Sequence, residues 1–97
     1  MKLLDTIKFS NKIRLHALNM TSKAGTSHIG SMLSIADIVA VLFNEILNIK
    51  PLKKNKEKIN RDYFILSKGH AGGIVYAALA EKGFFPINKL ETYCKNG

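Results

Sequence analysis

The sequence predicts an α/β chain, mostly helical with one clear strand, that forms the incomplete opening part of a larger domain. Three observations carry this reading. Apolar residues recur at helical spacing in four segments, a single β-prone run stands at 63–66 ("YFIL"), and the helical segment over 34–47 is apolar on nearly all sides. One buried strand is not a sheet, because its two edges leave backbone groups unpaired. The 97 residues therefore read as the start of a larger α/β domain, or as a piece completed by another chain.

The elements follow in order. From 3 to about 23, Leu4, Ile7, Leu15 and Leu18 share one helical stripe, interrupted by Asn11. The small residues of "AGTSHIGSM" (24–32) predict a loop. Ser34 and Asp37 have the spacing of a capping box and open the helix over 34–47, with Ile35, Ile38, Val39, Leu42 and Ile46 on one face. Pro51 ends any helical continuation into the lysine-rich connection at 48–60. After the run at 63–66 and a glycine-rich turn, a helix is predicted over about 72–82, stopped by Gly83. Asn88 and Glu91 have the spacing to cap a last short helix that runs towards Cys94.

Composition narrows the function classes. The chain is 46% hydrophobic and 23% charged, which suits a folded domain. Net charge is +8, which invites a phosphate or nucleic-acid reading. Five of the lysines, Lys50, Lys53, Lys54, Lys56 and Lys58, lie in one run without an aromatic residue to stack on bases. A solvated linker is the better reading of that run, and nucleic acid is not an expected partner. A lone cysteine, Cys94, makes no internal disulfide, and no Cys/His metal spacing occurs, which fits a reducing compartment. Lys8, Asn11, Lys12 and Arg14 break any leader-like apolar core, and the apolar run at 35–43 contains Asp37 and is short for a membrane span. A cytoplasmic, soluble protein with no membrane partner is expected.

Two loops carry chemistry. "SHIGS" (27–31) and "KGHAGG" (68–73) each place a histidine among small residues just before a helix. Glycine lets a ligand approach the backbone closely, and histidine donates to phosphate or sugar oxygens and changes protonation near neutral pH. Lys68 adds a cation beside the second loop. The plainer alternative is that both histidines finish turns and bond local carbonyls. Neither a P-loop nor a GxGxxG motif is present.

At these residues the chain resembles the transketolases. "TSHIGSMLSIADIVAVLF" and "RDYFILSKGHAGGIVYAALAEKGFFP" are similar to their N-terminal section, especially where that section is a separate subunit. Arg61, Asp62, Phe64, Leu66, Ser67, Gly69 and His70 stand in the family's order, and the similarity runs from about Asp5 to Gly97. The resemblance implies that residues 1–97 are the incomplete N-terminal part of a doubly wound α/β domain that binds thiamine diphosphate. It places His70 near the cofactor's diphosphate, with Ser67 and Gly69 as cofactor-lining neighbours, and it places His28 as the catalytic residue facing the sugar carbonyl.

The implied reaction transfers a two-carbon ketol unit between sugar phosphates. The implied partners are the C-terminal transketolase section or subunit, in a homo- or hetero-oligomer such as a dimer. The family's divalent cation (Mg or Ca) is held by residues absent here. Asp5, Asp37 and Asp62 do not have the matching spacing, so no metal ligand is assigned. The chain alone is expected to be inactive. The competing reading is a truncated, non-catalytic paralogue that acts as an interaction module through the helix at 34–47 and the run at 63–66.

Overall fold

The computed structural model describes residues 2–50 and 61–93. Three α-helices form the body: α1 (Lys2–Ala24), α2 (Ile29–Val41) and α3 (Gly72–Glu81). A π-helical turn, Leu42–Ile46, extends α2, and the Leu47 amide closes it on the Leu42 carbonyl at 2.7 Å. Short 3₁₀ turns, Gly69–Ala71 and Ile87–Thr92, precede and follow α3. Each helix packs against the other two. Their shared core includes Ile13, Ala17, Met32, Ala36, Val39, Phe43, Ile74 and Ala77.

The described residues contain no β-strand, which corrects the α/β, doubly wound reading with one clear strand. Residues 63–66 run in extended form, with Ile65 90% and Tyr63 71% exposed. Only Phe64 anchors the run to the core, with its ring edge-on to Phe43 at 5.2 Å. A strand exists only as part of a ladder, and no neighbouring strand is present among the described residues to pair with it. Just before this run, the Asn48 amide donates to Asp62 Oδ2 at 2.7 Å and the Asp62 amide returns to the Asn48 carbonyl at 2.8 Å. These bonds bring together the two ends of the lysine-rich connection, whose residues 51–60 lie outside the described residues, as does Cys94.

Helix α1 buries a different face from the expected one. Phe9, Ile13, Ala17 and Met20, with Thr6, Ser10 and Thr21, turn inward, whereas Leu4, Ile7, Leu15 and Leu18 are each about half exposed. The inner polar residues are satisfied by hydrogen bonds. Ser10 Oγ donates to Asp37 Oδ1 at 2.7 Å, Thr6 Oγ1 donates to Glu45 Oε2, and Thr21 Oγ1 donates back to the Ala17 carbonyl at 2.9 Å.

Helix α2 begins at Ile29, not Ser34, so the loop shrinks to four residues and Ser34 lies inside the helix. There its hydroxyl donates to the Ser31 carbonyl at 2.8 Å, the local alternative open to a serine in a helix interior. Burial on nearly all sides is not achieved either, since Ile38 and Ile46 stay about 60% exposed. The span Ile29–Ile46 is long and apolar enough to cross a membrane by length and composition, more than the sequence reading allowed. In this fold its inner face, with Met32, Ala36, Val39, Ala40 and Phe43, is part of the core shared with α1 and α3.

The glycine stops are well formed. Gly83, at φ +88°, ends α3: its amide bonds the Ala80 carbonyl and the Phe84 amide bonds the Leu79 carbonyl, both at 3.0 Å. Gly25, at φ +70°, ends α1 in a similar way. The expected cap by Asn88 and Glu91 does not form. The Ile87–Thr92 turn starts after Pro86, without a side-chain cap.

Candidate active site

The two histidine loops meet. His28 is the residue just before α2, and its carbonyl accepts the Met32 amide at 3.2 Å. His70 sits in the 3₁₀ turn that leads into α3, a turn closed by the Ala71 amide on the Lys68 carbonyl at 3.0 Å. Their rings stack, with centroids 4.7 Å apart and planes inclined by 22°. Both histidines are exposed. Forty-two positions apart in sequence, they are brought together because α2 and α3 start at the same end of the bundle.

Packing beneath the histidines fixes this meeting. Ala71 and Met32 are fully buried. Gly73, in the first turn of α3, lies so close to α2 that a Cβ there would stand 2.5 Å from Met32 Sδ and 3.2 Å from Tyr93 Oη. Glycine at 73 thus lets α3 approach α2 with Met32 in its present position, which any larger residue would force to shift. Gly30, Gly69 and Gly72 face open space, where a Cβ would meet nothing within 4 Å. The backbone beside both histidines is thus bare and accessible at two helix starts.

Lys68 extends from the His70 turn, and its ammonium donates to the Ser34 hydroxyl on α2. Ser67 and Gly69 flank Lys68 and are exposed. Ser34 was missed as a site residue, because its spacing to Asp37 reads as a helix cap and nothing in the local sequence connects it to Lys68. Among the described residues, no three His, Cys, Asp or Glu side chains gather to hold a metal ion.

Taken together, the groups at this end are donors: two imidazoles, one ammonium and unencumbered backbone at two helix starts. Such a set suits an oxyanion or a diphosphate. Residues 6–96 match the model of the transketolase thiamine diphosphate-binding domain. This chain belongs to the transketolase family.

It is 42% identical over 94 residues to the 6-deoxy-6-sulfo-D-fructose transketolase subunit SqwG of Clostridium sp. (strain MSTE9), covering 97% of this chain and 34% of that protein. It is 42% identical over 81 residues to mouse transketolase, covering 84% of this chain and 13% of the enzyme. For human transketolase the identity is 40% over 75 residues, covering 77% and 12%. The chain therefore spans about a third of the subunit-type relative and about an eighth of the mammalian enzymes. It corresponds to the N-terminal portion of these transketolases, a family of transferases. The donor-rich histidine end fits thiamine diphosphate in charge and in open backbone.

Proposed function

We propose that this chain supplies one wall of a thiamine diphosphate site for two-carbon ketol transfer between sugar phosphates. The observation that supports it best is the stacked His28–His70 pair at the starts of α2 and α3. His70, with the amides of the Ser67–Gly69 turn, holds the diphosphate, while Lys68 adds positive charge beside it. His28 faces the sugar, donates a hydrogen bond to its carbonyl oxygen and takes or returns a proton as charge develops there. The bound cofactor supplies the carbanion chemistry through its thiazolium ring.

The remaining parts come from outside this chain. They include the residues for a divalent cation on the diphosphate, and the C-terminal section or subunit that completes the site in a cytoplasmic homo- or hetero-oligomer. Alone, the chain is inactive. Cofactor titration and steady-state kinetics on the intact protein test the assignment. His70→Ala should weaken thiamine diphosphate binding about tenfold, the scale of one charge-assisted hydrogen bond. His28→Ala should lower turnover more than affinity. Unchanged affinity and turnover in both variants would sink it.

A second reading is a non-catalytic interaction module. The exposed stripe Leu4, Ile7, Leu15 and Leu18 on α1, together with Ile38 and Ile46, favours it. Stoichiometric capture of a partner chain by a protein that binds no thiamine diphosphate would select this reading.

A further inference from the structure

We infer that Lys68 and Ser34 are a positioning pair that sets the spacing between His28 and His70. The inference rests on the thiamine diphosphate reading for its functional consequence, and on geometry alone for the pair itself.

Two links join the histidine loops from opposite sides. Below, Gly73 of α3 meets Met32 of α2 inside the core. Above, at the surface, Lys68 donates to Ser34 Oγ, and Ser34 Oγ in turn donates to the Ser31 carbonyl at 2.8 Å. Ser31 lies three residues after His28, and Lys68 lies two residues before His70. The chain of bonds from the His70 turn to the His28 loop is therefore continuous: Lys68, Ser34, Ser31. Its ends are anchored in backbone, since the Lys68 carbonyl closes the 3₁₀ turn that carries His70 and the Met32 amide bonds the His28 carbonyl.

The lower link fixes how closely the helices approach. It does not reach the exposed residues 67–70, where Gly69 faces open space. Stacked imidazoles do not hold a turn by themselves, for their attraction is small and both rings are solvated. Lys68 ties that surface turn to α2 through Ser34. Its ammonium also has a free face, since a lysine offers three donors and Ser34 uses one. An anion that binds beside His70 therefore meets a cation already held in place, and ordering that side chain no longer opposes binding.

Ser34→Ala and Lys68→Met each break the link, while Lys68→Arg restores a donor of similar reach. The readouts on the intact protein are the nuclear Overhauser contact between the His28 and His70 rings without cofactor, thiamine diphosphate affinity, and the unfolding midpoint. Ser34→Ala and Lys68→Met should each lose half or more of the ring-to-ring intensity, Lys68→Arg should recover it, and the unfolding midpoint should not move. Affinity should fall about fivefold in Ser34→Ala, with the double variant no weaker than Lys68→Met alone.

Ring contacts unchanged in Ser34→Ala and Lys68→Met would overturn the inference. So would an affinity loss confined to Lys68→Met, which would make Lys68 a direct anion ligand that owes nothing to Ser34. The two layers fail separately. A parent protein that binds no thiamine diphosphate, yet loses ring contact in Ser34→Ala, ends the cofactor reading and leaves the positioning pair standing.

Discussion

Helix α1 is held to its two neighbours by different physics. Towards α2 the shared apolar core is edged by a polar seam: Arg14 Nη2 donates to Asp37 Oδ1 at 2.6 Å, Ser10 joins the same oxygen, and Asn44 Nδ2 of the π-helical turn donates to Thr6 Oγ1 at 2.9 Å. Towards α3 the contact is made of small side chains. The buried residues of α3 are Gly73, Ile74, Ala77, Ala78 and Ala80, and one His16–Glu81 contact at 2.6 Å closes its far end. The outer edge of the polar seam tolerates adjustment, because solvent reaches Arg14 and Asp37 and they can re-pair. The small-residue face does not, because nothing in it can move aside without opening the core. The histidine end borders the small-residue face, since His70 enters through the N-terminus of α3.

Enlarging the small-residue face is the strongest way to break this contrast. Ala77 is fully buried, and Ala77→Leu forces three extra carbons into a filled space, for an expected loss of about 3 kcal/mol, the upper range of overpacking. Denaturant unfolding of the intact protein measures it. A loss below about 1 kcal/mol would show that this face yields as readily as the polar one. Gly73→Ala is the milder version and touches the site directly. Its new methyl lands 2.5 Å from Met32 Sδ, the far end of a flexible but fully buried side chain. An expected loss of about 1–2 kcal/mol follows, together with weaker thiamine diphosphate binding as α3 is pushed off α2. Full stability with weakened binding would mean that Met32 moves aside and the strain is passed to the histidines.

The same contrast explains what the sequence revealed and what it concealed. Helices were legible wherever glycine or proline marked their ends, as at Gly83, whose left-handed φ of +88° few other residues adopt. The inner face of α1 was not. Its two apolar stripes lie on opposite sides of the helix, and the more hydrophobic one, Leu4, Ile7, Leu15 and Leu18, is the outer. The inner stripe mixes Phe9, Ile13 and Met20 with Thr6 and Ser10, whose hydroxyls match carboxylates on α2 and its π-helical extension. Periodicity counts hydrophobicity and is blind to a partner's hydrogen-bonding groups, so it chose the wrong side. The strand at 63–66 failed for a related reason, since β-propensity describes a surface that another strand must complete. Each histidine loop was visible alone, but their stacking depends on two helices starting at one end, which no local pattern encodes. Lys68 was noted only as a nearby cation because its partner, Ser34, lies across the helix pair.

The polar seam gives the smallest effect and the one that depends on pH. Asp37 is held below the ordinary carboxylate value of 3.8, first by its hydrogen bond from Arg14, then by that from Ser10, against a small opposing effect of burial. A carboxylate with a lowered folded-state pKa adds stability that is fully present above 3.8 and is lost as pH falls through the lower folded value. Its side chain is 78% exposed, so solvent screening keeps the contribution to a few tenths of a kcal/mol. Asp37→Asn should therefore be slightly less stable than the parent at neutral pH, and the gap should close as the pH drops below 3.8. Raising salt at neutral pH should narrow it as well, because this pair is open to ions. Unfolding midpoints of parent and variant across the acid range read the difference. A gap that persists at acid pH would locate the effect in the geometry of the Ser10 bond and not in the charge of Asp37.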